Sequence, residues 1–159
     1  MAKKKIREEA TKTEEIVKEV AQELLRQLSV EAEIAVEKGE DHFKVNIQTP
    51  DTGLLIGRHG ETLNSLQLLL GVILYKKIGS WQRIILDVGS YRKMREDSLR
   101  EMVERIAIEV ETTGQPVVLP FMTPLERRFV HMLLADREKV TTESLGEGRE
   151  RRLTVKPRA

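Results

Sequence analysis

Two short stretches of the sequence place cationic side chains where they could hold an anion. The first is Gly57-Arg58-His59-Gly60, inside "TGLLIGRHGETLNSLQLLL" from Thr52 onward. Helix-forming residues flank it on both sides, so the glycines break a helix and leave the unpaired N–H groups of a second helix at Gly60. Such an N-terminus favours negative charge, and glycines let a phosphodiester backbone approach closely because they lack a Cβ. Arg58 and His59 bring further charge to the same place. The second stretch is "ERRFVH", in which Arg127 and His131 stand four residues apart. On a helix that spacing puts both on one face, where a guanidinium and an imidazole can share a phosphate. Each pattern also has a plain alternative: glycines that only turn the chain, and a basic helix face that only meets water.

Other chemistries find no support. A P-loop needs Gly-x-x-x-x-Gly-Lys-Ser/Thr, and no Lys-Ser or Lys-Thr follows Gly60. A dinucleotide fingerprint needs three glycines after a strand, whereas a helix precedes this pair. The chain has no cysteine, which removes disulfides and thiolate metal sites. His42, His59 and His131 are far apart, without the spacing of metal ligands. The carboxylates of the glycine stretch form no metal-binding cluster of the kind a nuclease needs. No catalytic residue, metal or cofactor is expected, and the chain is read as a non-enzyme.

Charge is informative in its distribution. The net charge is only +1, from 27 Lys and Arg against 26 Asp and Glu. Residues 1–51 hold 9 basic and 12 acidic residues, 52–98 hold 7 and 4, 99–125 hold 2 and 4, and 126–159 hold 9 and 6. The two segments that carry the motifs are therefore the positive ones, as expected if two patches meet an anionic partner. The N-terminus lacks the apolar core of a secretory signal. The longest apolar run, "LLLGVILY" from Leu68, is far shorter than the roughly 20 residues of a spanning helix. A soluble, cytoplasmic protein without membrane insertion is expected.

The elements that must position these residues follow from periodicity. Residues 1–12 read as a charged, frayed arm. Thr11 and Glu14 have capping-box spacing, and Ile16, Val17, Val20, Leu24, Leu25 and Leu28 recur at helical period. Ile34 and Val36, then Phe43, Val45 and Ile47, alternate as a β-hairpin around "KGED". A helix opened by Thr52, the glycine break, a second helix and a strand over 82–88 complete an order of helix, strand, strand, helix, helix, strand. That order predicts a three-stranded sheet with helices on one face. A long helix over 90–113, stopped by Gly114, leads to a short strand at "PVVLP". A helix follows with Thr123 as N-cap and Pro124 in its first turn, then two strands around Gly146 and Gly148. The expected division is a flexible arm at 1–12, a first module at 13–90, a connecting helix at 91–113 and a second module at 114–159.

"LLIGRHGETLNSLQLLL" in this element order resembles a type II KH domain, αββααβ. Its Gly-x-x-Gly loop clamps the backbone of about four single-stranded nucleotides. The resemblance implies a clamp of Gly57, Arg58, His59 and Gly60, a groove wall of Leu55 and Ile56, a floor of Ile84 or Ile85, and an edge contact at Arg83. "PLERRFVHMLL" followed by "VTTESLGEGRERRLTVKP" resembles an R-3-H domain, a small α+β binder of single strands named for an Arg-x-x-x-His pair. It implies contacts by Arg127, Arg128 and His131, extended by Arg151, Arg152 and Lys156 on the last strand. The alternative for those last three is a charged strand edge that discourages aggregation.

A KH domain directly followed by an R-3-H domain is similar to the bacterial Jag family, also called KhpB or EloR. Many of its members carry a further N-terminal Jag domain and a long linker, and this chain is expected to lack both. The resemblance implies an α+β fold and a single-stranded RNA-binding protein, with single-stranded DNA as an alternative ligand. It also implies a post-transcriptional role linked to cell elongation, division and shape. A second implication is a scaffold that pairs through its KH fold with itself or with a small single-domain KH protein. The two readings predict different environments for Arg58, exposed in a nucleic-acid binder and buried or ion-paired in a scaffold. The low aromatic content, 4%, argues against a platform that binds by stacking alone.

Overall fold

A computed structural model of the protein describes residues 2–158, with side chains from residue 11. The fold is α+β, in two compact units, Met1–Arg92 and Lys93–Ala159. The elements are α1 (Ala2–Gln27), β1 (Glu33–Lys38), β2 (Phe43–Gln48), α2 (Thr52–Ile56), α3 (Glu61–Ile78), β3 (Ile84–Val88), α4 (Tyr91–Thr113), β4 (Val117–Val118), α5 (Pro124–Leu134), β5 (Val140–Leu145) and β6 (Arg152–Pro157).

In the first unit, β1 and β2 pair antiparallel with Ile34 opposite Ile47 and Val36 opposite Val45. β3 then runs parallel to β2, with Phe43 opposite Ile84, Val45 opposite Leu86 and Ile47 opposite Val88. The sheet order is β1-β2-β3, which leaves β3 as an edge. Alternate residues of β2 (Phe43, Val45, Ile47) are buried while Lys44 and Gln48 face water, so helices cover one face only. Against that face pack Val17, Val20, Ala21 and Leu25 of α1, Leu55 of α2, and Leu63, Leu66, Leu70 and Leu74 of α3. Of the α1 positions read from helical period, Val17, Val20 and Leu25 lie in this core, Ile16 and Leu24 pack half-buried against it, and Leu28 is exposed.

α1 differs from expectation at its start. The backbone is helical from Ala2, so the segment expected as a frayed arm joins the helix, and Met1 lies outside the described residues. Residues 2–28 contain no glycine or proline, and Ala, Lys, Glu and Arg are strong helix formers. Thr11 therefore falls inside the helix rather than at its cap.

The second unit has its own core and a sheet of order β4-β6-β5. Leu99, Val103, Ala107 and Val110 of α4 pack with Leu119, Met122, Val130, Leu134, Val140, Leu153 and Val155. The helix expected to connect the modules thus supplies one wall of the second core. Its apolar positions recur at three- and four-residue spacing, and that stripe needs an apolar partner. α5 begins with a capping box: Thr123 Oγ1 accepts from the Glu126 N–H at 3.3 Å, and Glu126 Oε2 accepts from the Thr123 N–H at 2.7 Å. Glu126 also accepts from Arg95 Nε at 2.7 Å, tying the start of α5 to α4. Among the described residues, no helix is long and apolar enough to cross a membrane.

Candidate nucleic-acid interface

The Gly57–Gly60 loop is held by conformations that only particular residues tolerate. Gly57 has φ 67° and ψ −169°, a region open almost only to glycine. His59 (φ 53°) and Gly60 (φ 79°) are left-handed, and Arg58–Gly60 forms one 3₁₀ turn before α3. Space requires glycine as well. A β-carbon on Gly57 would stand 2.0 Å from Thr62 Oγ1, and one on Gly60 would stand 3.0 Å from the Tyr91 ring. Thr62 and Tyr91 thus hold the loop closely on its inner side.

The predicted residues separate by depth. Leu55 is fully buried and belongs to the core, and Ile56 is half-buried at its margin. Gly60 is buried, His59 is half-buried, and Arg58 is exposed. The Arg58 side chain makes no hydrogen bond or ion pair among the described residues, and its carbonyl accepts from the Glu61 N–H within the turn. Of the two isoleucines offered as a floor, Ile84 points into the core and Ile85, half-buried, lies on the other face of the sheet.

Arg83 is not brought to the loop. It precedes β3, whose opposite end meets the loop elements: Gly89 lies beside Thr52 and Tyr91 lies under Gly60. The six residues from Arg83 to Gly89 span about 20 Å of extended chain. At its own end, Arg83 pairs with Asp41 in the β1–β2 turn. A hydrogen bond from His42 and the charge of Arg83 hold the Asp41 carboxyl below its ordinary range.

Sequence reasoning also passed over the outer edge of β3. The Arg83 carbonyl and the Gly89 N–H both bond to β2, at 2.8 and 3.0 Å. By alternation, the peptide groups of Leu86 face outward. There the Leu86 N–H donates to Gln67 Oε1 at 2.9 Å, and Arg92 Nε donates to the Leu86 carbonyl at 2.8 Å. Buried Asp87 accepts from the backbone N–H groups of Val88 at 3.0 Å and Arg92 at 3.2 Å.

In the second unit, Arg127, Arg128, His131 and Arg151 line one open concavity of about 430 Å³, together with Thr142, Ser144, Pro124 and Leu153. His131 Nδ1 lies 2.5 Å from Thr142 Oγ1, and Arg151 Nε donates to Ser144 Oγ at 2.8 Å. Arg127 is half-buried and donates to the Met122 carbonyl at 2.8 Å, so it braces the turn before its own helix while its charge borders the concavity. Arg128 is exposed, and its side chain has no polar partner among the described residues.

Arg152 and Lys156 do not join this group. Buried Leu153 and Val155 fix the inward face of β6, and Arg152 and Lys156 alternate with them onto the other. Arg152 lies over the Phe121 ring at 5.5 Å, and Lys156 pairs with Glu143 at 2.5 Å. The concavity can therefore hold an anion with three arginines, a histidine and two hydroxyls, and the far face of the sheet does not contribute.

Comparison with known proteins agrees with the division of the chain into two units. Residues 14–88 match the family model described as "KhpA/KhpB, KH domain", and residues 97–157 match that of the R-3-H domain. The second match begins inside α4, the helix that packs into the second core. The chain is 37% identical over 132 residues to the RNA-binding protein KhpB of Lactiplantibacillus plantarum, covering 83% of this chain and 41% of that protein. It is 34% identical over 142 residues to the RNA-binding protein KhpB of Clostridium symbiosum, covering 86% and 64%. With the RNA-binding protein KhpB of Bacillus subtilis it shares 26% identity over 136 residues, covering 84% and 65%. The chain thus spans less than two thirds of the length of each of these relatives. With a KH domain of the KhpA/KhpB type ahead of an R-3-H domain, and relatives of that one kind across both, the chain belongs to the Jag/KhpB family.

Proposed function

We propose that the chain is a non-enzymatic binder of single-stranded RNA, with single-stranded DNA as an alternative ligand, acting in the cytoplasm. The observation that carries this reading is the state of Arg58. It stands exposed and unpaired among the described residues, on a loop whose glycines admit close approach of a backbone. Gly57, Arg58, His59 and Gly60 would hold phosphates at the start of α3, with Ile56 at the margin. Arg127, Arg128, His131 and Arg151 would hold phosphates in the second unit. Two modules in one chain gain avidity when one strand reaches both, and affinity resting on phosphates falls with salt. The names of the relatives support RNA as the ligand. Resemblance to the Jag family extends the reading to post-transcriptional control of cell elongation, division and shape. The direct test replaces Arg58 and His59 by Asp, keeps both glycines, and measures binding to a random single-stranded RNA pool. Strongly weakened binding with an intact fold is expected; unchanged affinity removes the clamp assignment.

A second reading rests on a separate observation. Leu68, Val72 and Tyr75 on the outer face of α3 are 63%, 39% and 50% exposed, and Trp81 beside them is 59% exposed. Gly71 lets the Trp81 ring lie against the helix, since a β-carbon there would already touch it at 3.4 Å. Contiguous apolar exposure of this kind suits an interface. We propose that this face pairs with a second KH fold, from another copy of the chain or from a small single-domain KH protein. Pairing there leaves Arg58 free, so it is compatible with RNA binding.

A further inference from the structure

Arg92, which follows the ring that supports Gly60, closes the outer edge of β3. Its Nε donates to the Leu86 carbonyl at 2.8 Å, and its Nη2 donates to Gln67 Oε1 at 3.0 Å and lies 3.4 Å from Asn64 Oδ1. Gln67 Oε1 in turn accepts from the Leu86 N–H at 2.9 Å. The four groups form a closed ring in which the one outward donor and one outward acceptor of Leu86 are both occupied. The ring sits along the helix that starts at the glycine clamp, since Asn64 and Gln67 are four and seven residues past Gly60.

Strand edges with free N–H and C=O groups accept further hydrogen-bonding partners. Every nucleobase carries an acceptor and a donor side by side on its pairing edge, the same complement that Gln67 and Arg92 now present to Leu86. Sequence-specific recognition of single strands uses such base edges, whereas the backbone is held by phosphate contacts.

We propose that Arg92 is a built-in competitor for nucleobases: a base reaching the Leu86 edge displaces the guanidinium, so Arg92 sets how tightly bases, as opposed to phosphates, are bound. This rests on the reading of the Gly57–Gly60 loop as a nucleic-acid clamp. The planar guanidinium is what closes the ring, bonding the Leu86 carbonyl and Gln67 at once. Lysine keeps the charge as a single ammonium without that fork.

The test compares the full chain with its Arg92→Lys variant at fixed salt, using fluorescein-labelled oligo(A), oligo(C) and oligo(U) and an abasic sugar–phosphate oligomer of equal length. Arg92→Lys is expected to tighten binding of at least one base-bearing oligomer about tenfold, equivalent to roughly 1.4 kcal/mol, and to leave the abasic oligomer unchanged. Equal or weaker binding of all base-bearing oligomers by the variant overturns the proposal, as does equal tightening on the abasic one. Failure of the unaltered chain to bind any oligomer instead removes the clamp reading itself. A second measurement needs no variant: the Arg92 Nε–H resonance of the unaltered chain should move on adding base-bearing oligomer and stay in place with the abasic one. A resonance that does not respond to bases also overturns the proposal.

Discussion

The side chain of Thr62 occupies the space that a β-carbon on Gly57 would need, with Thr62 Oγ1 only 2.0 Å from that position. Gly57 is thus fixed twice, by its φ of 67° and ψ of −169° and by its neighbour in α3. We predict that Gly57→Ala costs about 1–3 kcal/mol from backbone conformation alone, with a further cost from the collision. Thermal or denaturant unfolding should show this loss in the first unit. Adding Thr62→Ala should recover only part of it, because the backbone conformation stays unfavourable. Full recovery would mean that sterics alone select glycine here.

The glycine loop was legible in the sequence, but its support was not. Gly-x-x-Gly between two apolar helical stretches announces a break, and the order of elements around it follows from helical and alternating periods. Thr62 and Tyr91 carry no such mark. Thr62 reads as an ordinary first-turn residue and Tyr91 as the start of the next helix; each gains its role only once the left-handed turn folds the loop over it. Arg83 misled for a related reason. It adjoins the right strand, but β3 runs parallel to β2 and carries Arg83 to the end away from the loop. The separation of Arg151 from Arg152 and Lys156 was readable in principle, because strand alternation puts neighbours on opposite faces. Leu153 and Val155 show which of the two faces is inward.

That alternation gives a second prediction. Arg128→Ala should lower the slope of log affinity against log salt by about 0.7, the value for one phosphate contact to a single strand. Stability should not change, as the Arg128 side chain has no polar partner among the described residues. Arg152→Ala should leave the slope unaltered, since that side chain lies over Phe121 on the far face. Salt titrations of the two variants check this, and equal slopes for both would undo the assignment of the concavity.

Trp81 is the only tryptophan of the chain, so it reports directly on the outer face of α3. If that face pairs with a second KH fold, Trp81 emission should shift to the blue as concentration rises, in step with a doubling of mass in sedimentation. Leu68→Glu should abolish both changes, because a carboxylate brought into an apolar interface is costly. Binding of RNA by the Leu68→Glu variant should persist apart from any avidity lost with the second copy. A monomer at every concentration, with or without a small KH partner, would set the pairing aside.

The allegiance of α4 was the part of the architecture that periodicity could not supply. Leu99, Val103, Ala107 and Val110 mark a buried stripe, but a stripe does not name its partner, and a helix between two modules could serve either. The structure places all four in the second core, with Val103, Ala107 and Val110 fully inaccessible. At about 1.5–3 kcal/mol for each large apolar side chain, Leu99, Val103 and Val110 together contribute about 5–9 kcal/mol. That is comparable to the whole stability of a small domain, about 5–15 kcal/mol. A fragment of residues 93–159 should therefore unfold cooperatively on heating. A fragment of 114–159 should show no cooperative transition and should expose Leu119, Met122 and Val130 to an apolar dye. Cooperative unfolding of the shorter fragment would show that α4 is a connector, and that the second core closes without it.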